Sequence, residues 1–329
     1  MDRDLTHGSI GRTLILFALP MMAGNLLQQC YNIADTLIVG RVLGSDALAA
    51  VGSAYTLMTF LTSIFLGLSM GAGALFSIQQ GQGNQAGLHS AVSHAFWLLL
   101  SVTLALMALV YACIDPILRF LQVPGEVWDG LRIYLLIVFA GILATSLYNF
   151  YACLLRALGN SVAPLVFLAV SAVLNIGLDL LLVLVFPMGI AGAALATVAA
   201  QYVSAIGMAL YVRIRRPELR PRFRGIRFDR TMLGEIVHLS SLTCVQQSVM
   251  NFGILMVQGL INSFGPVVMA AFAAAVKIDT LAYLPVQDFG NAYSTFVAQN
   301  FGAGCKERIR RGSRIAMGMS LGFCVAISA

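Results

Sequence analysis

Four acidic residues and one lysine lie inside long apolar stretches of this 329-residue sequence: Asp35, Asp179, Asp279, Asp288 and Lys277. A charged side chain at the centre of a bilayer costs about 2.5–3.5 kcal/mol even on the insertion scale, so such residues usually have a function. Ion or proton binding is the chemistry we expect from them, because no phosphate-binding or covalent-catalysis motif accompanies them.

Asp35 stands at the end of a polar stripe. Gln28, Asn32 and Asp35 have the spacing i, i+4 and i+7, which places them on one face of a helix. A stripe of this kind favours a position along a cavity over one facing lipid. The alternative is an acid at the outer rim of the membrane, stabilised by water and Arg41.

Asp179 has polar neighbours at the same helical spacing. Asn175 precedes it by one turn, and Thr197 and Gln201 are one turn apart in the next apolar run. Together with Asp35, these oxygen-bearing side chains suit Na⁺, a hard cation. They suit a proton equally well, because burial and a second carboxylate both favour the neutral form of a carboxyl group. Alternatively, Asp179 binds the backbone of a helix end.

One further run contains Lys277, Asp279, Pro285 and Asp288. Lys277 and Asp279 are two residues apart and do not face one another on a helix. Lys277 and Asp288 share a face but are about three turns apart, so both need partners from other helices. Pro285, like Pro20 in the first run, removes a backbone hydrogen bond and predicts a bend, which either lines a cavity or serves packing alone.

The composition is that of a membrane protein. Hydrophobic residues make up 59% of the chain and charged residues 10%, with a mean hydropathy of +0.86. Soluble domains contain roughly 45–50% apolar and about 25% charged residues. An ordinary soluble enzyme, a disordered chain and a secreted disulfide scaffold are therefore excluded. The six cysteines have no CxxC spacing, so they indicate neither a disulfide nor a metal site.

Nine apolar runs are long enough to cross a bilayer, which takes about 20 residues. They lie at about 13–40, 47–78, 91–114, 131–155, 163–186, 189–212, 233–262 and 266–298, and from about 313 onward. Backbone groups in lipid must bond within their own segment, so the runs predict helices. The sequence shows no alternation with period two, which excludes a membrane β-barrel.

Most of the 20 basic residues fall on one side of these runs, above all in the arginine-rich stretch 213–230. The positive-inside rule then predicts a multi-pass protein of a bacterial-type inner membrane, with its N-terminus in the cytoplasm. Nucleic acid or lipid headgroups are the alternative partners of this stretch, but a topology-setting linker explains it better.

The pattern Gln28-x3-Asn32-x7-Gly40 recurs 219 residues later as Gln247-x3-Asn251-x7-Gly259, and Gly81-Gln82-Gly83 recurs as Gly302-Ala303-Gly304. One six-helix unit thus precedes the arginine-rich stretch and a second follows it. An even number of helices makes the repeat parallel. The counterpart of Asp35 is Ile254, so the architecture itself does not require the acid.

The predicted fold is an all-α integral membrane protein with two six-helix lobes. We expect residues 1–212 to form the first lobe, 213–231 a basic cytoplasmic linker, and 232–329 part of the second lobe. About nine of twelve helices are present, so a fragment of a longer protein is expected.

Three stretches resemble the MATE family, the multidrug and toxic compound extrusion transporters. They are Pro20 through Gln28-Gln29-Cys30-Tyr31-Asn32-Ile33-Ala34-Asp35 to Ala49-Ala50-Val51-Gly52; Asn175-x3-Asp179 with residues 188–197; and Asn262-Ser263-Phe264-Gly265 with Lys277-Ile278-Asp279 and residues 299–304. The resemblance implies two lobes around a central cavity and export of cationic amphipathic compounds or drugs in exchange for H⁺ or Na⁺, without another cofactor.

In family members with an acid pair in the first lobe, the matching positions are Asp35, Asn175, Asp179 and Thr197, which would also hold Na⁺ if it is the coupling ion. Other members carry an acid in the seventh helix, where this sequence has Gln246, Gln247 and Asn251. Coupling is therefore expected in the first lobe.

The candidates for lining the substrate cavity are Gln28, Tyr31, Asn32, Gln201, Gln247, Asn251, Lys277 and Asp279. The hypothesis is a monomeric secondary-active exporter with no enzymatic activity. A flippase for lipid-linked saccharides of related fold is the alternative, and it would need an arginine-rich cavity. An integral membrane enzyme or receptor would need a clustered surface motif or a soluble domain.

Overall fold

Long helices make up almost all of the chain that the structure describes. A computed structural model describes residues 3–120, 125–221, 229–262 and 266–328; side chains are not described at 120, 125–127 and 326–328 and in parts of 45–60 and 248–282. The elements are α1 (Ile10–Val42), α2 (Ser45–Gly81), α3 (Gln85–Ala112), α4 (Ile114–Phe120), α5 (Gly125–Ala157), α6 (Val162–Asp179), a π-helical segment (Leu180–Val185), α7 (Gly189–Arg215), a 3₁₀ turn (Pro217–Leu219), α8 (Arg230–Asn262), α9 (Pro266–Gly302) and α10 (Lys306–Ser328).

Each of the nine apolar runs lies in a long helix, which confirms the all-α prediction. Among the described residues, six stretches are long and apolar enough to cross a membrane: α1, Leu57–Gly81 of α2, α3, Trp128–Ala157 of α5, Val162–Val185 and α7. The last helix begins at Lys306, earlier than the run near 313 predicts, because its first turns are basic rather than apolar.

The core of the first lobe lies along α5, which packs against α2 on one side and α7 on another; α3 packs against α2 and α5, and α6 packs against α7. A second cluster of buried side chains joins α1 to α9 and α10. The two lobes therefore meet along two seams. Helix α2 packs against α8 and α9, and α1 packs against α9 and α10.

The internal repeat is visible in how α2 and α9 end. Each helix stops at the first glycine of its Gly-x-Gly motif, Gly81 and Gly302. The second glycines, Gly83 and Gly304, have φ angles of +67° and +71°. This left-handed conformation is the usual end of a helix and favours glycine. The motif therefore terminates the same helix in both lobes.

The two helix ends cross almost backbone to backbone. A Cβ on Gly81 would collide with the carbonyl oxygen of Gln299, and a Cβ on Gly302 would collide with that of Ile78. These contacts are reciprocal, as expected for a two-fold pseudo-repeat. We call this end of the bundle the basic end, because α1 and α10 begin here and the arginines of residues 213–220 lie here.

Candidate functional site

The structure brings the carboxyl groups of Asp35 and Asp179 within hydrogen-bonding reach of each other. Asp35 lies on α1 and Asp179 is the last residue of α6. Asp179 is fully buried, and Oδ1 of Asp35 has no contact with solvent. Two carboxyl groups can share a hydrogen bond only when one of them holds a proton. The pair is therefore able to bind a proton or another cation between two helices.

Close packing of α1 on α6 positions this pair. Gly24 of α1 faces α6, and a Cβ there would make ordinary van der Waals contact with Leu168 at 3.6 Å and Leu165 at 3.7 Å. Directly after Asp179 the chain changes to the π-helical segment, where Phe186 N donates to Leu181 O at 3.0 Å. Short π-helical segments are frequent at functional sites in helices.

The neighbouring oxygen atoms are buried and lack hydrogen-bond donors within the described part of the chain. Asn175 is 2% exposed, and its Nδ2 donates to Thr197 Oγ1 at 3.4 Å. Asn175 Oδ1 has no hydrogen-bond partner among the described residues. Apart from each other, neither do Asp35 Oδ1 and the two Asp179 oxygens. Buried acceptors without donors suit a proton or an oxygen-coordinated cation such as Na⁺.

Tyr134 of α5 belongs to the site, although the sequence pattern did not predict it. The side chain is 7% exposed, and it lies close enough to Asp35, Asp179 and Tyr31 to interact with them electrostatically. Tyr31, a predicted cavity residue, is half-buried. A tyrosine within an apolar membrane run was the available signal, since a buried hydroxyl usually finds a partner.

The other predicted cavity residues do not form one group. Gln201 is half-buried against Gly141 of α5, and its Oε1 has no partner among the described residues. Asn32 and Gln247 are half-buried, whereas Gln28 is exposed. The side chains of Asn251, Lys277 and Asp279 lie outside the described residues.

Both predicted bend positions lie inside uninterrupted helices, Pro20 in α1 and Pro285 in α9. The helices continue on either side because only one backbone donor is lost at each proline. The bends themselves stay predictions.

A polar contact between α1 and α9 helps to join the lobes. Asn25 Nδ2 of α1 donates to Asp288 Oδ1 of α9 at 2.6 Å. The sequence pattern singled out Asp288 but not Asn25, because the pairing of α1 with α9 is a tertiary contact between residues 263 positions apart. Asp288 is therefore placed apart from the first-lobe pair.

The N-terminal segment 3–9 is bound across the basic end. Arg308 of α10 donates to the carbonyls of Gly8 at 2.7 Å, His7 at 2.9 Å and Leu5 at 3.4 Å, and Leu5 is fully buried. Partial burial raises the pKa of the Asp4 carboxyl, but hydrogen bonds from Thr6 and His7 outweigh this effect and hold its pKa below the ordinary value. The segment and the α2–α9 crossing thus both hold the lobes together at this end.

Comparison with known proteins agrees with this architecture. The family model described as MatE matches residues 20–181 and 242–329. The probable multidrug resistance protein YpnP of Bacillus subtilis (strain 168) is 32% identical over 308 residues, which cover 93% of this chain and 68% of the relative. The probable multidrug resistance protein YoeA of the same organism is 29% identical over 318 residues, covering 94% of this chain and 68% of YoeA.

A solved structure described as the outward-facing conformation of a multidrug resistance MATE family transporter of the MOP superfamily has the same fold. Its TM-score is 0.91 at 22% sequence identity, over 98% of this chain and 72% of that structure.

Proposed function

Because the chain belongs to the MATE family of multi-pass multidrug efflux transporters, which are not enzymes, we propose that it exports cationic amphipathic compounds in exchange for H⁺ or Na⁺. The observation that carries this proposal is the contact of Asp35 with Asp179 between α1 and α6. A carboxyl pair in a membrane interior is costly unless an ion or proton neutralises it. Its occupancy thus responds to an ion gradient.

Loading and unloading of this pair changes how α1 packs on α6. With a proton or Na⁺ bound, the two carboxyl groups attract a common partner and hold the helices together. Without it, two negative charges repel each other, and α1 moves away from α6. Helix α1 also packs against α9 of the second lobe. Movement of α1 therefore reaches the lobe interface, and the lobes rock around the central cavity.

The arginine-rich stretch supports an orientation with the basic end in the cytoplasm of a bacterial inner membrane. In that orientation, the α2–α9 crossing and the N-terminal segment close the cytoplasmic side, and the cavity opens outward. We retain residues 1–212 as the first lobe, 213–231 as the cytoplasmic linker and 232–329 as part of the second lobe. The transporter works as a monomer and needs no cofactor; the coupling ion is H⁺ or Na⁺.

Dye efflux from proteoliposomes under a pH gradient or a Na⁺ gradient, each imposed alone, tests the proposal. Asp35→Asn and Asp179→Asn remove the charge with little change of shape. Coupling free energies of about 1–3 kcal/mol correspond to roughly 5–150-fold effects, so efflux should fall at least about fivefold in both variants.

The matched control is Asp115→Asn. Asp115 is an acid that accepts from Arg132 Nε at 2.9 Å on an exposed surface, and its replacement should leave efflux unchanged. Undiminished efflux in either site variant would refute the assignment of coupling to the pair. Transfer of a lipid-linked saccharide without dye efflux would favour the flippase alternative.

A further inference from the structure

Asp288 lies in a buried position where an ionised carboxylate would be energetically unfavourable. The side chain is 2% exposed, Oδ1 accepts one hydrogen bond from Asn25, and Oδ2 is buried without a hydrogen-bond partner among the described residues. No basic group of the described residues lies within salt-bridge distance. A buried carboxylate that is neither paired nor fully hydrogen-bonded costs several kcal/mol, so a proton or cation must accompany it.

Among the described residues, Arg156 is the charged group that acts on Asp288. Of the helices that pack against α9, α1 contributes the neutral Asn25 and α5 contributes Arg156, whose positive charge acts from a distance, while the described residues of α2, α8 and α10 contribute no charge that acts on Asp288. The buried Nε of Arg156 also has no hydrogen-bond partner among the described residues. An acid and a base thus stand near each other at the lobe interface without forming a contact.

Helix α1 connects this acid to the first-lobe pair. Asn25 and Asp35 are ten residues apart on α1, about 15 Å along the helix axis. Near Asn25 the helix meets α9 of the second lobe, and near Asp35 it meets α6 of the first lobe. Pro20 and Pro285 lie close to this contact, five residues before Asn25 and three before Asp288.

We propose that Asp288 is a second proton-binding site, separate from the Asp35–Asp179 pair, and that its proton controls closure of the lobes at the basic end. With the proton on Oδ2, the neutral carboxyl group keeps its hydrogen bond from Asn25, and α1 and α9 stay packed. When the proton leaves to water, the carboxylate must gain water or reach Arg156. Either change separates α1 from α9 and loosens the basic end. This inference rests on the proposed alternation of the lobes, but not on the ion bound by the first pair.

Hydrogen exchange of the membrane-reconstituted protein, measured by mass spectrometry over a series of pH values and corrected for intrinsic rates, tests this role. The informative peptides cover residues 78–84 and 299–304, the two helix ends that cross. In the unchanged protein, protection of these peptides should fall at least about fivefold as the pH rises, in line with typical coupling energies. Asp288→Asn, which imitates the protonated acid, should remove most of this fall.

Two further variants complete the design. Asn25→Ala should reduce protection at low pH while retaining a pH dependence, because the acid is still present. Asp115→Asn should behave like the unchanged protein. An Asp288→Asn protein that keeps the original pH dependence would overturn the proposal, as would a Na⁺ titration at fixed pH that reproduces the whole effect.

The outcome is separable from the proposed function. Full efflux in Asp35→Asn and Asp179→Asn would remove the coupling assignment without altering the exchange result. An unaltered pH response in Asp288→Asn would remove the second site and leave coupling at the first pair.

Discussion

At the scale of single residues, the two acidic sites differ in what surrounds them. Asp35 and Asp179 have each other, with the amide of Asn175 and the hydroxyl of Thr197 beside them. Asp288 has one neutral donor and a distant arginine. The first arrangement suits either a proton or Na⁺, whereas a lone acid suits a proton.

Thr197→Val tests whether the Asn175–Thr197 bond orients the first site. The change keeps the shape but removes the acceptor for Asn175 Nδ2. Because it leaves a buried donor with one bond fewer, we expect a loss of about 1–3 kcal/mol in the free energy of unfolding. The coupling-ion concentration for half-maximal efflux should also rise about fivefold or more.

Thr103→Val is the matched control, since the buried Thr103 hydroxyl bonds Ser146 at 2.7 Å and joins α3 to α5. It should lower stability by a similar amount without changing the ion dependence. If Thr197→Val also left the ion dependence unchanged, Thr197 would be a packing residue only.

The residues of the first site could be predicted because helical spacing and an apolar context are properties of a single segment. Asn175 and Asp179 share a helix face at one-turn spacing, and an acid in a membrane helix is conspicuous. Tyr134 and Asn25 could not be predicted in this way. Asn25 bonds a residue of another helix, Tyr134 lies near acids of two other helices, and sequence spacing contains no information about such tertiary neighbours.

At the scale of elements, the close crossing of α2 and α9 depends on glycine. Gly81→Ala and Gly302→Ala each place a Cβ against a backbone carbonyl of the opposite helix. Overpacking of this kind costs about 1–3 kcal/mol. Here it should destabilise the arrangement in which the two helix ends cross. We expect faster hydrogen exchange at both helix ends and slower dye efflux in both variants.

Gly290→Ala provides the control within α9, because a Cβ at that position would meet nothing within 4 Å. It should leave both measurements unchanged. Equal behaviour of Gly290→Ala and Gly302→Ala would show that the crossing does not need glycine.

Long elements were predictable and short ones were not. The apolar runs predicted every long helix, since a membrane span requires length and hydrophobicity that a sequence displays directly. The short α4, the π-helical segment after Asp179 and the 3₁₀ turn at Pro217–Leu219 were not predicted. Segments of a few residues take their conformation from the helices that surround them.

At the scale of the whole molecule, the N-terminal segment links the two lobes. Arg308 of α10 holds the carbonyls of Leu5, His7 and Gly8, while the Arg3 amide donates to Gly159 O of the first lobe at 3.1 Å. The segment is thus bound on both sides of the interface. Its release should accompany any opening of the basic end.

Arg308→Ala removes the donors that hold this segment. Hydrogen exchange in residues 3–9 should increase about fivefold or more, and dye efflux should slow because the closed state is less stable. Arg310→Ala is the control, since Arg310 is an exposed arginine of the same helix. Unchanged exchange in Arg308→Ala would mean that other contacts suffice to fix the segment.

The reciprocal contact of Gly81 with Gln299 and of Gly302 with Ile78 involves main-chain atoms only. Amide groups do not titrate near neutrality, and uncharged surfaces feel little ionic screening. The crossing between the halves therefore does not itself respond to pH or ionic strength near neutrality. Under the proposed coupling, the response to an ion gradient has to come from the acidic residues on and beside α1.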